Sequence, residues 1–347
     1  MITVLIASYN GSKYINQQLD SILAQTRRDI RILVSDDCSW DATPKVLERY
    51  QKTHRERVLV LYRSCASGGA AAHFLKLLKL VADHRPGREE ELEKDLREYR
   101  ELGRKSRGFL KELALSEYFM LSDQDDVWLT YKGERLLKRM KALEGETLKL
   151  KTFPFPILVH SDLMVVDECL YVIAPSFFKY QKISPERTRL SQLLVQNNVT
   201  GGAVMINRGM LPFLERLPEA CLMHDAWLAL IAAAFGRIDF IDEALYFYRQ
   251  HDSNALGAER GDNLQSMKAR IKDASAAREN YRRMFAQAES FLKLFGDNLG
   301  ERERNILEKF TQLPEGSRLG KMYLILRYGF TKNTWLRTLG QMLFMSV

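Results

Sequence analysis

Within its first 62 residues the chain alternates β-rich apolar runs with helical patterns, and that rhythm admits few architectures. Residues 2–8, 30–35 and 58–62 read as strands, and residues 14–25 and 44–52 read as helices between them. Strands separated by single helices, with polar turns at their C-terminal ends, indicate parallel βαβ units of a doubly wound α/β sheet. Ligands of such sheets collect at the carboxyl edge, so the residues just after each strand are where chemistry is sought.

The pattern continues with a helix over 70–84, then a dense run of mixed charges, which we treat as a charged helical insertion of about 86–112. Opposite charges three and four residues apart support an exposed helix, so a solvated excursion is the expectation. A strand at 118–121, a helix at 131–143, a strand at 157–167, a Gly201-Gly202 step entering a short strand, an apolar helix at 224–235 and strands at 238–241 and 245–248 follow. Beyond about residue 265 the pattern is helical and basic. A chain of 347 residues, 46% hydrophobic, can bury a sizeable core, which fits a domain over 1–260 and a helical extension over 261–347.

The formal net charge of +8 favours nucleic acid, anionic lipid or a phosphorylated substrate as partner. No nucleic-acid-reading motif is visible, and the basic residues gather in the tail. From Arg318 onward there are five Lys or Arg and no acid, interleaved with Leu, Ile, Phe, Tyr and Trp. That mixture suits interfacial membrane attachment, and it equally suits a basic helical pair packed on its own domain. Gly320, Gly329 and Gly340 argue against a membrane span. Four cysteines, far apart, signal neither a zinc site nor a disulfide framework, and the opening MITVLIASYNG has no basic leader, so a cytoplasmic chain starting with a strand is expected.

Residues 119–132, FMLSDQDDVWLTYK, crowd Asp123, Asp125 and Asp126 onto one turn behind a strand. Such carboxylates repel unless a hard cation such as Mg2+ or Mn2+ neutralises them, with water and phosphate completing its shell. An EF-hand is excluded, because Trp128 stands where its sharp turn needs Gly. SDDCSWDAT (35–43) places Asp36 and Asp37 behind the second strand, where acceptor-only carboxylates can bind a base N–H or a ribose hydroxyl; Asp41 to Thr43 suit helix capping instead. After the first strand stands SYNGSKY, offering Ser8, Tyr9 and Asn10, where a dinucleotide fold would place its glycine fingerprint. Asp225 opens a helix and fits a cap as well as a catalytic base. Trp128 and Trp227 fit sugar stacking or core packing. Gly201 and Gly202 fit close acceptor approach or a bulge, and His251 fits a metal ligand, a phosphate contact or loop structure.

ASYNG, VSDDCSWDAT, LSDQDDVW, HSDL, NNVTGGAVMINR, MHDAWLALIAAAFG and YRQHDSNALG, in this order, resemble the family 2 glycosyltransferases of GT-A fold, and among them bacterial rhamnosyltransferases of rhamnan-type polysaccharide synthesis. The resemblance runs from residue 1 to about Gly257. It implies a Rossmann-like nucleotide-sugar domain with a mixed central sheet. It makes Asp36 or Asp37 the partner of the pyrimidine, with Asn10 nearby, and Asp123-Gln124-Asp125 the D-x-D motif, in which Asp123 faces ribose or metal water and Asp125 holds the metal. His251 sits where some relatives supply a metal or diphosphate ligand. Asp225 becomes the base on the acceptor side; His224 replaces the Glu usual beside it, a departure that bears on the neighbour more than on the aspartate. The implied activity is metal-dependent inverting transfer of L-rhamnose from dTDP-rhamnose to a lipid-linked glycan at the inner membrane face. A UDP-hexose donor and a non-catalytic nucleotide-sugar-binding scaffold are the alternatives.

Overall fold

A computed structural model describes residues 1–148, 155–251 and 274–344, and within them the chain separates into two compact units. The first unit comprises 1–176, 200–217 and 239–257; the second comprises 177–199, 218–238 and 258–347. Its helical part therefore draws on segments well before residue 260, and the helix carrying Asp225 lies in the second unit, not in the sheet domain expected to hold it.

The first unit is built on a mixed sheet in the order β3-β2-β1-β4-β8-β6-β9-β5, with β7 beside β6. The strands are β1 (Ile2–Ser8), β2 (Ile30–Asp36), β3 (Val58–Tyr62), β4 (Tyr118–Ser122), β5 (Val127–Trp128), β6 (Ile157–Val166), β7 (Val172–Ala174), β8 (Val204–Asn207) and β9 (Arg237–Arg249). Helices α1 (Ile15–Leu23), α2 (Thr43–Thr53) and α3 (Ala70–Ala82) belong to the crossovers, as the apolar periodicity requires. β1 pairs in parallel with both β2 and β4, with Ile2 opposite Ile30 on one side and Tyr118 on the other. The chain thus reverses its direction of winding between β1 and β4, the switch point at which an open α/β sheet leaves a crevice. β8 then joins β4 antiparallel and makes the sheet mixed.

Two expectations change. β9 is one strand of 13 residues rather than two, because Asp242 and Glu243, which read as a break, are exposed and cost the strand nothing. The two-residue β5 pairs antiparallel with β9, Val127 opposite Phe247, a contact too short and too distant in sequence to show as a pattern. The insertion forms α4 (Glu89–Leu96) and α5 (Arg104–Ala114), yet it is more than a solvated excursion: Leu96, Tyr99, Leu110 and Leu113 are buried.

In the second unit, the helix His224–Phe235 is largely apolar and mostly buried, its Trp227 and Phe235 packing on Phe291 and Phe295 of the helix Ala274–Phe295. Arg318–Tyr328 is capped by Ser317, whose Oγ accepts the Gly320 N–H at 3.2 Å, and it stops at Gly329 in the left-handed region. Leu319, Met322, Tyr323 and Leu326, spaced i, i+3, i+4 and i+7, form an exposed apolar stripe on it, Leu319 at 80% exposure. Trp335, Leu336 and Leu339 of the helix Trp335–Phe344 are exposed as well. Among the described residues no helix is long and apolar enough to cross a membrane.

Candidate active site

The crevice between β1 and β4 is closed at its floor by one amide. Gln124 Oε1 accepts the Ser8 hydroxyl at 3.0 Å and the Tyr9 N–H at 2.9 Å, while its Nε2 donates to the Tyr9 carbonyl at 2.8 Å. Three bonds from one side chain tie the loop after β1 to the acidic turn after β4. Gly11 leaves room for them, since a Cβ there would stand 2.2 Å from Gln124 Oε1 and would displace the amide from its bonds. Ser8 is buried beneath this clamp and Tyr9 rises from it half exposed.

On the other flank of β1, Asn10 takes a left-handed backbone (φ 49), which Asn tolerates better than most residues. Its N–H donates to Ser39 Oγ at 2.8 Å and its Oδ1 accepts the Trp40 N–H at 3.0 Å. Ser39 in turn donates its hydroxyl and its N–H to Asp36, at 2.6 and 3.1 Å. Burial pushes the Asp36 carboxyl up, an effect the two Ser39 bonds offset only in part. Asp37 is also buried and accepts from the Ser67 N–H (2.7 Å) and hydroxyl (2.6 Å). Asn10 and Asp36 thus meet through Ser39, while the Asp37 carboxylate turns to Ser67 and its N–H donates to the Ser8 carbonyl at 2.8 Å.

The acidic turn splits into two faces. Asp126 is fully buried: its Oδ1 accepts the Arg249 N–H at 3.1 Å, and Oδ2 has no hydrogen-bond partner. Burial drives its carboxyl well above the ordinary range, with the Asp125 and Asp123 charges adding to it. Lys132, the first residue of α6 (Lys132–Leu148), is buried with it and is driven well below the ordinary lysine value by the same loss of solvent. Its Nζ donates to the Gly202 carbonyl at 2.5 Å and lies 3.6 Å from the Trp128 ring centroid and 4.2 Å from that of Tyr246. Asp125 points the other way. Its Oδ2 meets His251 Nε2 at 2.8 Å, and both side chains keep some solvent access.

Arg249 fixes the turn from behind. Its buried guanidinium donates from Nε to the Asp125 carbonyl at 2.8 Å, from Nη2 to Gln17 Oε1 at 2.5 Å and from Nη1 to the Glu168 carbonyl, and it lies 4.5 Å from the Tyr14 ring centroid. The same ring lies 5.0 Å from that of His251. Neither Arg249 nor Lys132 stands out in the sequence. The signal was present only as a single Arg before Gln250-His251 and a single Lys after the acidic turn, and neither declares a partner until the chain is folded.

Some acceptor-side expectations are corrected by burial. Trp128 is 3% exposed with Lys132 against its ring, and Trp227 is wholly buried against Phe291 and Phe295, so neither presents a face to a sugar. Gly201 and Gly202 are buried too; a Cβ on Gly202 would stand 3.1 Å from the Tyr246 hydroxyl and 3.3 Å from Asp126 Oδ2. Gly202 thus has a packing reason for its lack of a side chain. In the second unit Asp225 Oδ1 accepts the Asn197 amide at 3.1 Å and the Ala226 N–H at 2.6 Å. Burial lowers the neighbouring His224 to about 3, so it is a neutral imidazole at physiological pH.

A cation site fits the residues present in a restricted sense. Asp125 and His251 offer one oxygen and one nitrogen within chelating distance of each other, and among the described residues no group of three metal-ligating side chains forms. Two protein donors are what an ion needs when substrate phosphate and water fill its other positions.

The profile described as glycosyl transferase family 2 matches residues 3–81. The dTDP-rhamnosyl transferase RfbG of Shigella flexneri is 32% identical over 279 residues, 80% of this chain and 81% of that protein. Among solved structures, S. aureus TarS 1–349 in complex with UDP-GlcNAc superposes with a TM-score of 0.50 at 16% identity, covering all of this chain and 81% of that one. The mixed sheet with its helical extension is the GT-A architecture of these proteins.

Proposed function

The chain belongs to glycosyl transferase family 2, and from that premise we propose that it catalyses metal-dependent, inverting transfer of L-rhamnose from dTDP-rhamnose to a lipid-linked glycan. The observation that carries the site assignment is the facing pair Asp125 and His251, set at the carboxyl edge beside the Asn10–Asp36–Asp37 cluster. The donor assignment is supported by the extent of similarity to a dTDP-rhamnosyl transferase.

Sugar transfer from a nucleotide diphosphate develops negative charge on the departing diphosphate and positive charge at the anomeric carbon. A divalent cation, when bound, supplies Lewis-acid neutralisation of that diphosphate, and Asp125 and His251 are the residues that would hold it, with Asp123 facing ribose or metal water. Asp36 or Asp37 accepts hydrogen bonds from the base, and Tyr9 lends the donor an exposed ring. Gln124 keeps Ser8 and Tyr9 in register with the acidic turn. Asp225 takes the proton from the acceptor hydroxyl oxygen, and one such base is enough for a single displacement with inversion.

The test is a donor panel. Thermal unfolding is followed with dTDP-rhamnose, UDP-glucose, UDP-galactose and UDP-N-acetylglucosamine, each with Mn2+ or Mg2+, alongside release of free nucleotide diphosphate. A donor at one hundred times its Kd adds about 2.7 kcal/mol to the native state, so dTDP-rhamnose is expected to give the largest rise in Tm and to turn over. A larger rise and faster turnover with a UDP-hexose would transfer the assignment to that donor. Binding without turnover on any acceptor would identify a scaffold.

The exposed stripe at Leu319, Met322, Tyr323 and Leu326, with the exposed Trp335 and a sequence from Arg318 onward that holds five Lys or Arg and no acid, supports attachment to an anionic membrane surface on its cytoplasmic side. Replacing Leu319, Leu326 and Trp335 together with Glu is expected to lower partition onto phosphatidylserine-containing vesicles by more than about tenfold, since each buried side chain contributes about 1.5–3 kcal/mol. Nucleotide affinity should stay unchanged. Equal sedimentation of variant and parent with the vesicles would refute the attachment.

A further inference from the structure

We propose that the charged insertion is a working part of the donor site, with Glu98 positioning Asp37 through the buried side chain of Arg63. The inference rests on the reading of Asp37 as a nucleobase partner and gives that residue its support.

Arg63 directly follows β3, at the edge of the sheet, and its side chain is wholly buried. A guanidinium stays charged in proteins and presents a rigid fork of donors, so it can be buried only where acceptors are already placed. Three are. Its Nε lies 3.2 Å from Asp37 Oδ1 and donates to the Cys65 carbonyl at 3.1 Å, while Nη2 donates to Glu98 Oε2 at 2.5 Å. The Tyr99 ring lies 5.2 Å from the guanidinium carbon and is itself buried.

The backbone fixes the same register. The Ser64 N–H donates to the Glu98 carbonyl and the Arg100 N–H to the Tyr62 carbonyl, each at 2.8 Å, and Arg63 bridges Tyr99 in antiparallel fashion. Residues 98–100 therefore lie as a short added strand along the end of β3, and they come from between the two helices of the insertion.

The consequence falls on Asp37. A carboxylate has about four lone-pair directions; the Ser67 N–H and the Ser67 hydroxyl claim two of them, and the Arg63 guanidinium, whose Nε–H goes to the Cys65 carbonyl, sets its charge 3.2 Å from Oδ1. About two acceptor directions remain, beside a guanidinium whose place Glu98 holds. Losing the Glu98 charge leaves the buried guanidinium short of an anion, so the fork turns toward Asp37 and takes up the acceptor direction a ligand would use. Lys76, 3.2 Å from Glu98, is partly exposed and cannot substitute for a negative charge.

The experiment uses the full chain with Glu98→Gln, Asp37→Asn and the double variant, titrated calorimetrically with dTDP and with UDP in the presence of Mn2+, and assayed for kcat and KM. Glu98→Gln is expected to weaken nucleotide binding about 3- to 30-fold and to raise donor KM in proportion, with kcat at saturating donor within about twofold. On the Asp37→Asn background the same change should add little, because both act through one carboxylate. Unchanged nucleotide affinity in Glu98→Gln with weakened affinity in Asp37→Asn overturns the proposal while leaving the reading of Asp37 standing. So does a fall in Tm without a change in affinity, or additive effects in the double variant. If Asp37→Asn itself binds nucleotide as the parent does, the reading of Asp37 fails and the proposal falls with it.

Discussion

Asp125→Ala is expected to lose about three orders of magnitude in kcat/KM for sugar transfer while its far-ultraviolet circular dichroism stays unchanged. A cation on a departing diphosphate is worth several kcal/mol of barrier, and about 4 kcal/mol is a factor of 10³. The fold should survive because the turn is not held by this side chain. Its backbone carbonyl is held by Arg249, and the buried partner of the turn is Asp126, which keeps its bond to the Arg249 N–H. Among the described residues, removing Asp125 costs its side chain's contact with His251. The same reasoning separates the neighbours: Asp126→Ala should unfold at a lower temperature, since it deletes the acceptor of a buried backbone N–H. The measurement is steady-state release of nucleotide diphosphate, paired with nucleotide binding with and without Mn2+. In the parent, binding should tighten with Mn2+; in Asp125→Ala that gain should vanish. A folded Asp125→Ala protein with full activity would remove the metal site assigned to this turn.

How much of this was legible beforehand follows from the range of the interactions. β1, β2, β3 and their crossovers depend on periodicity within a dozen residues, so apolar spacing alone gave Ile2–Ser8 and Val58–Tyr62 to the residue. The crowding of Asp123, Asp125 and Asp126 is likewise local, and repulsion between close carboxylates is reason enough to suspect a ligand there. What makes Asp125 and Asp126 different is not local. Arg249 reaches the turn from more than 120 residues away, and Lys132 becomes a buried amine only once Gly202 and Tyr246 are placed around it. Trp227 looked available for a sugar because the helix around it carries His224 and Asp225, yet its partners, Phe291 and Phe295, lie some sixty residues on. Glu98 was one acid among many in a charged run, and only its pairing with a buried Arg63 sets it apart.

The second large effect concerns Asp225, where two readings, catalytic base and helix start, compete for one side chain. The N-cap of this helix is Met223 and Asp225 is a first-turn acid, so its structural part is a modest dipole contribution and the bonds of its Oδ1; an Asn amide oxygen can still accept the Ala226 N–H as Oδ1 does now. Asp225→Asn therefore preserves the structural role and deletes the proton acceptor. Against that background, a base predicts a loss of about 10²- to 10⁴-fold in kcat, with nucleotide affinity and Tm nearly unchanged. A purely structural first-turn residue predicts no loss. His224 cannot take over, because its buried imidazole is pushed down to about 3 and binds protons too weakly to draw one from a sugar hydroxyl near neutral pH. The loss in Asp225→Asn should accordingly persist at every pH between 6 and 9, with no rescue where an ordinary histidine would titrate. Retention of parental kcat in the folded Asp225→Asn enzyme would leave this aspartate a helix-start residue and send the search for the base elsewhere in the chain.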